Sequence, residues 1–182
     1  MSDRRARFEA QALPHLDAVY NLARWLARPP LDADDIVQDA LLRAFRAFDS
    51  FRGDNVKPWL LQIVRNCFLT AMGQARRARH VPIVEDDEPG ADDPAWTADA
   101  PDPEAAAIRA EESRRLDVVI ALLPREFREV LVLREMEDLS YRDIAQITGA
   151  PIGTVMSRLA RARGMLKEKW LSDVERSPHV LQ

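Results

Sequence analysis

Thr154, Ser157, Arg158 and Arg161 are spaced so that they fall on one side of a helix, and their hydroxyl and guanidinium groups are donors to phosphate oxygens and base edges. A second basic group, Arg76, Arg77 and Arg79, ends a segment that begins near Pro58 and carries one apolar face. A third pattern, Asp35, Gln38, Asp39, Leu42 and Arg46, recurs at i, i+3, i+4, i+7 and i+11, the spacing of a stripe that docks on another helix. A solvated face has the same periodicity, but Leu42, apolar amid the charges, tilts the stripe toward a partner. All three patterns serve binding rather than bond making. No phosphate-cradling glycine loop, no nucleophile with a plausible base and no metal constellation occurs, so no catalytic residue, metal or cofactor is expected. His15, His80 and His179 are scattered, and the single cysteine, Cys67, excludes an internal disulfide and sits on the Ile63 side of a helix, where packing is expected.

The donor stripe at 154–161 needs a helix set at an angle to another. Ser140 as N-cap with Asp143 three residues on opens a first helix, in which Ile144, Ala145 and Ile147 are apolar. Gly149 stops it, and Pro151 suits the first turn of the next. Val155, Leu159, Ala162 and Leu166 then share an inward face. These features describe a helix-turn-helix, a device for reading a DNA major groove. A plain helical hairpin with solvated Arg and Ser residues shares the periodicity; the turn chemistry and the basic outer stripe together favour DNA.

Three helical stretches are expected ahead of that pair. Leu13 to Ala27 holds Leu16, Val19, Tyr20, Ala23 and Leu26 in register and ends at Pro29-Pro30. Asp32 caps a second, running to about Phe48 with Val37, Leu41, Ala44 and Phe48 inward. The third runs from near Pro58 to Arg76-Arg77. Beyond a break come Glu104 to Leu123, Pro124 to Glu137 and the two helices of the helix-turn-helix, with no strand pattern. The expected fold is all-α: two small helical domains joined by a flexible acidic linker.

Charge follows the same division. The net charge of −4 hides a mildly basic first domain, residues 1–80, with 13 Lys/Arg against 9 Asp/Glu, and a nearly neutral last one, residues 109–182, with 13 against 12. Residues 81–108 carry 9 acidic residues, no basic one and five prolines, which read as the linker. The start lacks an apolar signal region and no stretch is long enough to span a membrane, so a cytoplasmic location is expected.

The order of these features resembles the bacterial RNA polymerase sigma factors of the small, two-domain extracytoplasmic function (ECF) group. Three stretches carry the resemblance: Asp34 to Ala40 with Ala47 to Gly53, Pro58 to Asn66, and Leu123-Pro124 through Arg163. They are similar to sigma region two and region four. By that resemblance Asp35, Gln38 and Asp39, with Leu42 beside them, bind the coiled coil of the largest subunit of core RNA polymerase. The third helix is implied to read and melt the −10 element: Asn66 near the pocket for a flipped base, the loop from Phe51 through Arg52 to Val56 on its rim, and Trp59, Arg65, Arg76 and Arg77 along it. Trp59 is by type a commoner core residue than a base-stacker.

In region four the resemblance places Thr154, Ser157 and Arg161 toward the −35 element, with Pro151 and Gly153 close to its backbone. Met156 stands where many relatives carry Arg or Lys, which implies one phosphate contact fewer, and Ala160 is small where some carry a bulkier residue. Arg158 is exposed by periodicity but is equally able to pair with an acid inside its own domain. The resemblance implies promoter DNA and core polymerase as partners, and an anti-sigma factor that hides both surfaces. The rival reading is a conventional helix-turn-helix regulator with an N-terminal sensing or dimerisation lobe. A linker of this length spans roughly 30 Å on average and about 90 Å when extended. Promoter elements roughly 17 base pairs apart lie about 60 Å from one another, so the linker must be stretched to serve both.

Overall fold

A computed structural model describes residues 2–29, 31–78 and 103–176, and every regular element among them is helical. The helices are α1 (Ser2–Ala12), α2 (Leu16–Leu26), α3 (Ala33–Ala47), α4 (Val56–Ala78), α5 (Pro103–Ala121), α6 (Arg125–Leu131), α7 (Tyr141–Thr148) and α8 (Ile152–Arg176). Short 3-10 turns occupy Leu13–His15 and Phe48–Ser50, and a π turn, Val132–Met136, continues α6. Arg79 and most of the expected linker lie outside the described residues, while residues 103–108, assigned to the linker by charge, form the start of α5.

Local chemistry explains most boundaries. Asp32 caps α3, its side chain accepting from the Asp34 N–H at 2.8 Å. Ser140 caps α7 in the same way, accepting from the Asp143 N–H at 3.1 Å. Gly149 ends α7 at φ 66°, in the left-handed region that a side chain disfavours. Pro151 stands just before α8 rather than inside it, its carbonyl accepting from the N–H groups of Thr154 and Val155. The π turn closes with an i→i+5 bond from the Glu137 N–H to the Val132 carbonyl at 3.1 Å.

α1 was not foreseen. Its sequence is mostly polar, and it is held through Phe8, which packs edge-on to Phe45 and Phe48 with ring centroids 5.3 Å away in each case. Arg4 of α1 donates to the backbone carbonyls of Phe45 and Arg46 at the end of α3. In α2 the buried residues are Ala18, Val19, Leu22, Ala23 and Leu26, whereas Tyr20, expected in register, is 44% exposed. The buried line of α3 is Ile36, Ala40 and Ala44, followed by Phe48; Val37 and Leu41 flank it, partly covered. Two alanines on that line let α3 approach α2 and α4 closely, which turns the helix slightly from the face expected of its larger side chains.

The halves before and after the break do not stand apart. α7 packs on α4, and α6 and its π turn pack on α2. Val130, Val132, Leu133, Ile144, Ile147, Val155 and Leu159 belong to one buried cluster with Leu22, Leu60, Leu61 and Val64. Trp25 of α2 also touches a smaller cluster of Ile120, Leu123, Leu131 and Ala162. Arg128, 2% exposed, is the polar joint of this assembly. Its guanidinium donates to the carbonyls of Trp25 at 2.8 Å, Ala121 at 2.9 Å and Leu123 at 3.0 Å. Those oxygens lie at or just past the C-termini of α2 and α5, where helix carbonyls lack partners and a cation is favoured.

Cys67 lies within the core of the first half, and burial pushes its thiol up to about 11. The thiolate is therefore scarce at pH 8. Ellman's reagent is expected to leave the native chain untouched and to take up one equivalent after denaturation; rapid native reaction would show that this core opens readily.

Candidate nucleic-acid interface

The stripe on α3 faces outward. Asp35 and Gln38 are exposed, Leu42 is 56% exposed, and Asp39 is half-buried and paired with Arg43 at 2.8 Å. Opposite lie the buried Ile36, Ala40 and Ala44, so the fold supplies a rigid back for a polar front that holds one exposed leucine.

The second surface is built on the loop before α4 and on α4 itself. Phe51 and Trp59 stack with centroids 4.8 Å apart, and Trp59 also faces Phe48 at 6.5 Å, so the tryptophan is partly a wall of the core. The loop needs a small residue at Gly53, where an added Cβ would lie 2.9 Å from the Phe51 ring. Arg52 is drawn back onto the loop, donating to the Asp49 carbonyl at 2.5 Å and to that of Phe51 at 3.1 Å. Asn66 is exposed, with its side chain facing solvent two turns beyond Trp59. Arg76 and Arg77 are exposed in the last turn of α4, where basic residues also suit the helix dipole.

Arg65 differs from the others expected beside it. Its Nε meets Glu129 Oε1 of α6 at 2.5 Å, and its side chain is only 19% exposed. Two further α4 side chains reach the same way: Lys57 binds both the Glu137 carboxylate and the Glu137 carbonyl at 2.9 Å, and Gln62 donates to the Gln146 carbonyl at 3.3 Å. Asn21 of α2 adds a 2.7 Å bond to Glu137. Lys57, Asn21, Glu129 and Glu137 were absent from the sequence expectation, since nothing in their local spacing couples residues so far apart in the chain. Burial pushes the Glu129 carboxyl above the ordinary value, opposed by Arg65, Arg125 and Arg158.

On the third surface, Gly153, Met156, Ser157 and Arg161 of α8 are exposed, as is Pro151 just before the helix, and Thr154 is half-buried beside them. Met156 is 52% exposed and Ile152, one turn before it on the same side, is 47% exposed, so an apolar strip borders the polar face. The Ser157 hydroxyl donates to the Thr154 carbonyl at 3.0 Å. Arg158 takes the internal alternative, pairing with Glu126 of α6 at 3.2 Å, its side chain 28% exposed. Met165 and Leu166 lie farther along α8, partly buried against the smaller core. Among the described residues no group of side chains is placed to hold a metal ion, and no helix is long and apolar enough to cross a membrane.

A helix-turn-helix with an outward donor face, joined to a helical half with a loop-and-helix polar surface, defines a DNA-directed binding protein. Residues 13–78 match Sigma-70 region 2 and residues 113–166 match Sigma-70 region 4. The ECF RNA polymerase sigma-E factor of Haemophilus influenzae is 37% identical over 152 residues, covering 81% of this chain and 78% of that one. Its Escherichia coli K12 counterpart is 35% identical over 147 residues, covering 78% and 75%. Among solved structures, the sigma factor RpoE in complex with the anti-sigma factor NepR from Bartonella quintana superposes with a TM-score of 0.72 at 31% identity, covering 92% of this chain and 98% of that one. The chain belongs to the ECF family of RNA polymerase sigma factors.

Proposed function

We propose that this sigma factor docks on core RNA polymerase through Asp35, Gln38, Asp39 and Leu42 and directs initiation by reading two promoter elements. The observation that carries the reading is the order of the two sigma regions along the chain, and the exposure of Asn66, Arg76 and Arg77 in the first and of Ser157 and Arg161 in the second supports it. The −10 element is assigned to the Phe51-Arg52 loop, Trp59, Arg65, Asn66, Arg76 and Arg77. The −35 element is assigned to Pro151, Gly153, Thr154, Met156, Ser157 and Arg161, with Arg158 holding α8 on α6. The protein performs no catalytic step, since RNA synthesis is the polymerase's chemistry, and it works in the cytoplasm where its template lies. Control by an anti-sigma factor is supported by the similar RpoE chain, whose structure is that of a complex with NepR.

The test is reconstituted transcription with core polymerase on a randomised promoter library. Transcripts are expected to arise from templates enriched in a two-part sequence, with Arg161→Ala weakening selection in the upstream part only. Transcription without enrichment of any two-part sequence overturns the assignment.

A further inference from the structure

We propose that Ile152 and Met156 make the start of α8 a reader of thymine 5-methyl groups in the upstream promoter element, where a charged or amide side chain would read hydrogen bonds instead. This deepens, and rests on, the assignment of α8 as the helix that meets that element. Ile152 and Met156 stand four positions apart and so share one side of α8. They are 47% and 52% exposed, with nothing in the fold covering them. A recognition helix meets base edges with its N-terminal residues. Here those residues offer apolar surface.

The polar groups of the same turns are engaged inside the protein. The Ser157 hydroxyl gives its proton to the Thr154 carbonyl at 3.0 Å, and Arg158 pairs with Glu126 at 3.2 Å. Arg161, the first basic residue of α8 that is exposed, comes about 13 Å farther along the axis than Ile152. Between the two apolar side chains lies Gly153, where an added Cβ would meet nothing of the protein within 4 Å, and Ala160 is exposed one turn past Met156. Small residues in the middle of the outward face let the helix come close to the groove floor, so the bordering Ile152 and Met156 reach the base edges.

In the major groove every base edge carries polar donors or acceptors, and the one apolar feature is the thymine 5-methyl group. An isoleucine or thioether side chain set against a G·C pair covers polar atoms that it cannot satisfy, whereas against thymine it takes a methyl group out of water. Met156 is flexible and follows the position of the methyl; Ile152 is stiff and fixes one side of the contact. Each methyl group covered should strengthen binding about fourfold.

Deoxyuridine lacks only the 5-methyl group of thymidine and keeps its hydrogen-bonding edge, so it isolates this contact. Holoenzyme formed with the full chain is measured for binding to the promoter selected from the randomised library, made with thymidine or with deoxyuridine in its upstream part. Deoxyuridine there is expected to weaken binding about fourfold for each methyl in reach, and deoxyuridine between the two parts to change nothing. Ile152→Ser/Met156→Ser should bind the two DNAs equally, and Met156→Leu should keep the difference. Both side chains are exposed, so these variants should melt with the parent. Equal binding of the two DNAs by the parent, or an upstream part selected without an A·T pair, overturns the inference alone. Weaker binding to core polymerase by the double variant, with its preference for thymidine intact, also overturns it and assigns the strip to a protein partner. A library that yields no two-part sequence overturns the functional reading and this inference with it.

Discussion

Leu42→Arg is expected to weaken binding to core polymerase by about 100-fold, corresponding to about 3 kcal/mol, while leaving the melting temperature of the free protein unchanged. Leu42 is 56% exposed and makes no part of the core, so a long charged side chain there has no internal cost. Its neighbours on the stripe are Gln38 and the half-buried Asp39, whose pairing with Arg43 fixes the edge of the face. An apolar side chain ringed by polar ones is the usual build of an interface centre, so its loss should be felt in dissociation rate. Surface-captured core enzyme and purified variant provide the measurement. Binding equal to that of the parent would remove α3 from the docking site.

The second large effect is on stability. Arg128→Met keeps the length and packing of the side chain but leaves the Trp25 and Leu123 carbonyls without their buried donor, while the Ala121 carbonyl keeps Arg28. The expected loss is about 3–5 kcal/mol, or a fall in melting temperature of about 10 °C or more for a chain of this size. Arg128→Lys should recover only part of it, because a single ammonium cannot match the planar spread of a guanidinium across two helix ends. Arg163→Met is the control: its pair with Glu135 is solvated, and a change within about 0.5 kcal/mol is expected. Thermal unfolding followed by circular dichroism separates these outcomes. A loss at Arg128 no larger than at Arg163 would mean that water replaces the guanidinium at those carbonyls.

The elements and their caps were legible where short-range chemistry sets them. Asp32, Ser140 with Asp143, and Gly149 each act within a few residues of themselves, and each does in the fold what its type and position suggest. The exposed stripes on α3 and α8 were legible for the same reason, since helical periodicity is a local property. What escaped was long-range. α1 owes its place to Phe8 and Arg4 meeting residues of α3. Arg65 has the composition of a phosphate ligand, yet its partner lies 64 positions away on α6. Arg158 had two admissible fates, and the choice depended on α6 bringing Glu126 within reach. The π turn also left no trace in apolar periodicity, because it spans a stretch, Val132-Leu133-Arg134-Glu135-Met136, too short to shift a pattern visibly.

Glu129 and Glu137 are eight positions apart. In an unbroken α-helix eight residues turn about 800°, which would set the second side chain about 80° round from the first. The π turn absorbs one residue, so the stretch turns about 700° and the two carboxylates come within about 20° of a common line. A homologue lacking the extra residue keeps the same alignment with its acids at i and i+7. Column-by-column comparison of aligned sequences would score that homologue as having lost an acid and gained another, although the two proteins face α4 with the same pair of charges. Searching the family for acids at either spacing, according to whether the helix carries its π turn, is the comparison that the geometry calls for.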